Sequence, residues 1–374
     1  MKTCNLVACY VLAFCFIACE KSSEVITDDI TVGPAADYTI FLENNNQLNA
    51  IVVGSTDEGM VLKNAVTSFA DTPSSSLKYR TFNDISFFYN SNCQAYLQWF
   101  NAIDGSNKSI ELFTDVDPCS IHVSAISHPD ESIFLAYERD LVGKDKQYMI
   151  RIASLTGKVD SFTEIELDKK PVDVITILNR LFVLTLDEYV TDTYYLSVID
   201  LSTNDNLIEL DLGSDATKLF ADNYGHIIIS YPELHITLDP ITLDKSYTTY
   251  GANTEPGFLD TEDSFLDASG KLYFQKRMSS AAIETVPAIY DFENNSTVVY
   301  LYENFLSESE LHVKYSIAKT TSIGYDDKRK FVLIGYKKKG QLDKGGILRI
   351  SPAPDFKIID NIDLEGVPNT IFVQ

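Results

Sequence analysis

A repeating unit of 45 to 48 residues constrains the fold of this chain more than any other feature. In each unit a polar, turn-like segment precedes a short apolar run, and seven such runs begin at Thr39, Ile85, Ile133, Leu181, Ile227, Leu272 and Phe331. Only the last interval, of 59 residues, is longer. Four short strands in a unit of about 40–50 residues are typical of a β-propeller blade. We therefore predict an all-β fold, with a single seven-bladed β-propeller over residues 35–374.

A second strand pair follows each apolar run, and it is clearest at residues 194–212. There the strand YYLSVIDL, the turn STND and the strand NLIELDL follow one another. Asn, Asp, Gly and Ser at such turns supply the backbone conformations that tight hairpins need. The 21 Phe and 21 Tyr residues favour strands, and a hydrophobic fraction of 45% permits a large core. No composition break occurs in mid-chain, which argues against two separate domains.

Residues 198–213, VIDLSTNDNLIELDLG, resemble YVTN-type, surface-layer-like β-propeller repeats, and the resemblance extends over about residues 35–374. It implies blades whose four strands run outward from a central axis, and a ring closed by a terminal strand. The first unit has no inner strand before Tyr38, whereas residues 366–374, GVPNTIFVQ, form one spare strand. We predict that this C-terminal strand becomes the inner strand of blade 1, which leaves no long exposed sheet edge.

The amino terminus predicts export. Residues 1–18 carry one positive charge, Lys2, before an apolar run that is too short to span a bilayer, as in a signal peptide. The end of this run, Phe16 to Cys19, resembles the lipobox of bacterial lipoproteins, which implies cleavage before Cys19 and a lipid such as palmitate on it. The alternative is an ordinary cleaved signal with a chance cysteine.

Residues 19–34 are predicted to be a flexible, lipidated tether, because they lack periodicity and mix small polar and acidic residues. Their acidic, Ser-containing start resembles the surface-export tethers of Bacteroidota lipoproteins. This resemblance implies an outer-membrane lipoprotein at the cell surface, with a propeller facing the periplasm as the alternative.

Two cysteines remain beside Cys19 once the leader is removed, namely Cys93 and Cys119. An even pair in an exported chain suggests a disulfide. The blade register places Cys93 between the second and third strands of blade 2, and Cys119 in the connection from blade 2 to blade 3. Both segments emerge on the same face of a propeller, so we predict a structural disulfide between them.

Charge and motifs exclude several classes of function. A net charge of -24 argues against nucleic-acid binding, because phosphate neutralisation needs an excess of Lys and Arg. The sequence contains no GxxxxGK[ST], GxSxG, HExxH, EF-hand or CxxC motif, and its five histidines are scattered. We therefore predict no catalytic residues, no metal site and no cofactor, and we expect a protein that is not an enzyme.

Three loops concentrate positive charge in this acidic chain. They span residues 138–146, 275–285 and 336–344, each between the second and third strands of a blade. Their basic residues are Arg139, Lys144, Lys146, Lys276, Arg277, Lys337, Lys338, Lys339 and Lys344. Positive loops on one face of an acidic disc could hold a small anionic ligand. The alternative is that these loops are merely hydrophilic.

These features predict a lipid-anchored envelope propeller that binds a ligand or a partner protein. Resemblance to Bacteroidota propeller lipoproteins implies a capture subunit that works with an outer-membrane uptake transporter. Such a protein would be a monomer or one subunit of a hetero-complex. The alternatives are a structural or adhesion protein of the envelope and, less favoured, a propeller hydrolase or lyase.

Overall fold

The computed structural model describes residues 37–56, 59–129, 131–141, 143, 146–156, 161–251, 254–258 and 263–374. Within β-strands, the side chains of residues 64–68 and 70 are not described. The predicted leader, the tether with Cys19, and Lys144 of the first basic loop lie outside the described residues.

Seven four-stranded antiparallel sheets form a ring, which confirms the predicted seven-bladed propeller. In the first two blades, from the inner strand outward, the strands are β28 (Val367–Val373), β1 (Asp37–Asn44), β2 (Gln47–Thr56) and β3 (Gly59–Pro73), then β4 (Leu77–Arg80), β5 (Asp84–Ser91), β6 (Gln94–Asn101) and β7 (Asn107–Leu112). Blades 3 and 4 consist of β8 (Ile121–Ser127), β9 (Ser132–Arg139), β10 (Gln147–Ser154) and β11 (Thr163–Leu167), then β12 (Lys170–Ile177), β13 (Arg180–Asp187), β14 (Thr193–Asp200) and β15 (Asp205–Gly213).

The last three blades follow the same strand order. Blade 5 consists of β16 (Lys218–Ala221), β17 (Ile227–Ser230), β18 (Leu234–Leu238) and β19 (Lys245–Thr249). Blade 6 consists of β20 (Ser264–Leu266), β21 (Lys271–Arg277), β22 (Thr285–Asp291) and β23 (Ser296–Val299). Blade 7 consists of β24 (Ile317–Asp326), β25 (Phe331–Lys338), β26 (Gly345–Ile350) and β27 (Ile358–Leu364).

The long last interval of the repeat has a structural cause. Between β23 and β24 the chain forms two short helical turns, Tyr302–Asn304 and Glu310–Lys314. Tyr302 and Leu311 of this connection are buried in the core between blades 6 and 7. The extra residues therefore lengthen one connection without changing the number of strands. No helix in the described part of the chain has the length and apolar character needed to cross a membrane.

Strand β28 closes the ring, as predicted. It pairs with β1 in antiparallel register, with Tyr38 opposite Val373 and Ile40 opposite Ile371. Its other face packs closely on blade 7, where a Cβ atom added at Gly324 would come within 2.9 Å of Ile371. Glycine in β24 thus allows the closing strand to lie close against blade 7.

The core lies between blades rather than at one centre. Most blade faces are covered by the neighbouring blade, as where Leu333 and Ile347 of blade 7 pack with Tyr38 and Val53 of blade 1. Strands covered on both faces carry apolar runs instead of alternating with polar residues. Strand β13 follows this rule, since five consecutive residues from Leu181 to Thr185 are buried. This double burial explains why the apolar runs of the repeat are so conspicuous in the sequence.

Candidate functional site

A cavity of about 810 Å³ lies where the inner strands of blades 2 to 6 face one another. Its walls come from β4, β8, β12, β16 and β20 and from the residues just before them. This volume falls within the range of about 300–1,000 Å³ that is usual for small-molecule sites. Because the inner strands line a channel, they can carry polar side chains that the inter-blade core would not tolerate.

A buried ion pair links blades 2 and 6 in this channel. Lys78 Nζ lies 2.9 Å from Oδ1 of Asp263, whose side chain is only 3% exposed. Lys78 also donates to Asn369 Oδ1 and Thr370 Oγ1 of β28, each at 3.3 Å. Three chain segments that are far apart in the sequence, from blades 1, 2 and 6, therefore meet at one ammonium group.

Arg80, two residues after Lys78 in β4, is the most enclosed cation of the channel. Its guanidinium lies between the rings of Phe265 and Phe372, at 4.5 and 4.3 Å from their centroids, and Nη2 donates to the Ile371 carbonyl at 2.6 Å. Burial lowers the pKa of Arg80 to about 10, while nearby Asp263 opposes the decrease. Arg80 is therefore still charged at neutral pH, and it fixes the closing strand to blade 2.

Two further charged residues face the channel from blades 4 and 5. The Asp173 carboxylate accepts backbone N–H groups of Val174 and Leu219, each at 2.9 Å, and burial raises its pKa. Burial lowers the pKa of Lys218, with Asp173 opposing this shift and Lys78 adding to it. The positive charge of Lys78 therefore disfavours the charged form of Lys218.

The cavity carries a small positive charge in an acidic protein. Its lining includes Lys78, Arg80 and Lys218 against Asp173 and Asp263, and so has a net charge of +1. No His, Cys or Glu occurs among the described lining residues. In a partly desolvated channel, charges act more strongly than on an open surface. This arrangement can attract an anionic group.

The three basic loops lie between the second and third strands of blades 3, 6 and 7, and none of their described residues lines the cavity. Most of their described cations have acceptors close by. Lys338 lies 2.6 Å from Asp363, Lys344 lies 3.0 Å from Glu365, and Lys146 lies 2.8 Å from Glu138.

Blade 6 provides two more such contacts. Arg277 Nε lies 3.4 Å from Glu284, and Lys276 donates to the carbonyls of Glu255 and Pro256. Within the described part of the chain the side chains of Arg139, Lys337 and Lys339 form no hydrogen bond or ion pair, although the charge of Arg139 helps to lower the pKa of Asp115. Lys144 lies outside the described residues. Neighbouring carboxylates thus neutralise much of the charge that the sequence concentrates in these loops.

Cys93 and Cys119 are joined by a disulfide, with 4.7 Å between their Cα atoms. Cys93 occupies the turn between β5 and β6, and Cys119 lies in the short helix Pro118–Ser120 before β8. The Asp117 carboxylate caps this helix by accepting the Cys119 N–H at 3.0 Å. The bond thus fastens a turn of blade 2 to the connection that leads into blade 3.

Sequence reasoning missed the charged residues of the channel. One signal was present, because residues 77–80, LKYR, place two cations in a short strand just before an apolar run. In a propeller register that position belongs to the inner strand, where only the channel accommodates charge. The pairing of Lys78 with Asp263, 185 residues away, leaves no such trace.

Comparison with known proteins supports the fold but does not identify a family or a function. No protein family and no curated protein matches the chain. A periplasmic gluconolactonase of Pseudomonas aeruginosa superposes with a TM-score of 0.55 at 11% identity, covering 91% of this chain and 99% of that one. A protein from Lactobacillus plantarum superposes with a TM-score of 0.53 at 10% identity, with the same coverage. These matches support a β-propeller, and the narrower YVTN-type and Bacteroidota resemblance stays an expectation.

Proposed function

We propose that this protein is a lipid-anchored binding protein of the cell envelope that holds a small anionic ligand in its central channel. The observation that carries the proposal is the 810 Å³ cavity, whose described charged lining residues, Lys218 among them, sum to a net charge of +1. The predicted role of the basic loops as the primary site is weakened by their local ion pairs. They stay candidates for a secondary contribution to anion attraction.

Binding is favoured over catalysis by the state of the two channel carboxylates. Asp263 is engaged by Lys78, and Asp173 accepts two backbone N–H groups. General acid–base catalysis needs a titratable group that is free to exchange a proton with the substrate. A cavity whose acids are committed to structural contacts is better suited to holding a ligand than to hydrolysing one.

The cellular setting of the proposal comes from the sequence. Lipid attachment at Cys19 would tether the propeller to the outer membrane, where an uptake transporter would be its partner. The alternative is a structural or adhesion role, which needs no ligand in the channel. Radiolabelled palmitate should be incorporated into the wild-type chain and not into Cys19→Ala, and labelling of both would contradict the assignment.

Calorimetric titration of the full chain with gluconate, citrate and inorganic phosphate tests the channel proposal. We expect at least one of these anions to bind, and Lys218→Met to weaken binding by about tenfold or more, because a charged hydrogen bond is lost. Lys337→Met is the matched control, since Lys337 lies in a basic loop away from the cavity.

Three outcomes would overturn the proposal. If none of the anions binds, the structural role is favoured. If binding is lost in Lys337→Met alone, the anion binds at the basic loops and not in the channel. The Pseudomonas aeruginosa protein is named as a gluconolactonase. Turnover of gluconolactone by the wild-type chain, abolished in Lys218→Met, would therefore replace binding with hydrolysis.

A further inference from the structure

A second cavity, of about 670 Å³, lies between blades 1 and 2, away from the channel. It opens at the turn between β1 and β2, at the end of β3, and at the turn between β5 and β6. Its lining includes five side-chain amides, those of Asn45, Asn46, Gln47, Asn92 and Gln94. Among its described lining residues there is no Lys, Arg or His, and the one carboxylate belongs to Asp71. The groove therefore differs from the channel in both charge and chemistry.

The amides of the groove stand on rigid two-residue turns. Asn45 and Asn46 have φ angles of 51° and 60°, and Asn92 and Cys93 have 52° and 57°. Two consecutive residues at positive φ form the tight hairpin turn that matches the twist of the adjoining strands. The Cys93–Cys119 disulfide holds the second turn, and the Asn46 carbonyl accepts the Ser74 N–H at 3.0 Å. Walls fixed in this way lose little conformational entropy when a ligand binds.

The same amides retain their hydrogen-bonding capacity. Within the described residues, the side chains of Asn46, Gln47 and Gln94 form no hydrogen bond, and all three are exposed. An amide side chain offers two donors and an acceptor, and a hydroxyl group is both a donor and an acceptor. A row of amides is therefore complementary to a ligand that carries several neighbouring hydroxyls.

Two tyrosines add an aromatic surface to this row. Tyr89 of β5 lies directly opposite Tyr96 of β6, with ring centroids 5.6 Å apart and planes inclined by 32°. Both side chains are half-buried, so their rings are held in place. The face of an aromatic ring is electron-rich and attracts weakly positive C–H groups, while the phenol hydroxyl forms hydrogen bonds. Burial raises the pKa of Tyr89, which keeps its hydroxyl protonated at neutral pH.

We propose that this groove binds a neutral carbohydrate, with the amides contacting its hydroxyls and the Tyr89–Tyr96 pair contacting its apolar ring face. An anionic ligand is disfavoured, because Asp71 would repel it and the described lining supplies no cation. A calcium ion is disfavoured too, because one carboxylate is few for a cation that takes six to eight oxygen ligands. This site is independent of the channel, so either site can be occupied without the other.

Saturation-transfer NMR with the full chain tests the proposal, using neutral disaccharides of glucose, galactose and mannose in α and β linkages. We expect at least one of them to bind. The double variant Gln47→Ala/Gln94→Ala should weaken it by about tenfold, because two hydrogen-bonding side chains are lost. Both residues are exposed, so the variant should melt like the wild type. Asn206→Ala, an exposed amide on the outer strand β15, is the matched control.

The outcomes separate this site from the channel. Sugar binding that persists in Lys218→Met and in Asn206→Ala, and is lost in the double variant, supports the groove. Absence of saturation transfer to every disaccharide overturns it. Undiminished binding by the double variant also overturns it, as does binding that is lost in Lys218→Met alone, since the sugar would then occupy the channel.

Discussion

Removal of the closing strand should unfold the propeller. A chain that stops after Glu365 lacks β28, which buries the large apolar side chains of Val367, Ile371 and Phe372. Burial of each such side chain is worth about 1.5–3 kcal/mol, so their loss removes roughly 5–9 kcal/mol. Whole proteins are stable by only about 5–15 kcal/mol. The truncation also exposes the edge of β1 and removes the Phe372 ring from Arg80.

Circular dichroism during thermal denaturation measures this effect. We expect the truncated chain to lack a cooperative transition, and a synthetic peptide of residues 366–374 to restore it when added in excess. A milder variant, Ile371→Ala, should lower the free energy of unfolding by about 2–5 kcal/mol. Val313→Ala is the matched control, because Val313 is 77% exposed and its loss should cost less than about 0.5 kcal/mol.

Two results would refute this reasoning. If the truncated chain melts at the same temperature as the wild type, the ring does not depend on closure by β28. If the peptide binds without restoring a cooperative transition, the strand contributes local burial and does not connect the ends of the fold.

Three other predictions concern stability. Cys93→Ser/Cys119→Ser should lower the free energy of unfolding by about 3 kcal/mol, because the disulfide closes a loop with a sequence separation of 26; equal denaturation midpoints with and without reductant would contradict this. Lys78→Met should lower the free energy of unfolding, measured in urea, by about 3 kcal/mol, because Asp263 stays buried with the more distant Arg80, at 3.8 Å, as a cationic neighbour. Adding Asp263→Asn should recover most of the loss, and a single variant within about 1 kcal/mol of the wild type would contradict this reasoning. Burial lowers the pKa of His128 to about 4, below its unfolded value near 6.5, so the unfolded state binds more protons between these values. His128 alone should therefore lower the free energy of unfolding by about 2.5 kcal/mol from pH 7 to pH 4.5, and His128→Gln should lack that part of the decrease.

Much of the fold could be predicted because a blade is encoded locally. The turn between β14 and β15 illustrates this, since Asn204 adopts a φ of 63° in the segment predicted to be a turn. The closing strand could be predicted as well. In a ring of equal units, the first unit lacked one strand and the end of the chain had one strand too many. The positions of Cys93 and Cys119 followed from the same register.

The basic loops show the limit of that reasoning. Their positions between second and third strands were predicted correctly, yet the sequence did not show which acids would face them. Lys338 meets Asp363 of β27, and Lys344 meets Glu365 just beyond it. Charge counted along a loop therefore overestimates the field that the loop presents, because partners from other strands are not included.

The sequence by itself determined the strand pattern, the number of blades, the closing strand and the neighbourhood of the disulfide. Each of these depends on short-range periodicity or on the register of one blade with the next. Only the tertiary structure decided which side chains share the channel and the groove. Lys78 meets Asp263 because the ring brings the inner strands of distant blades together. The spacing of these two residues along the chain does not predict that contact.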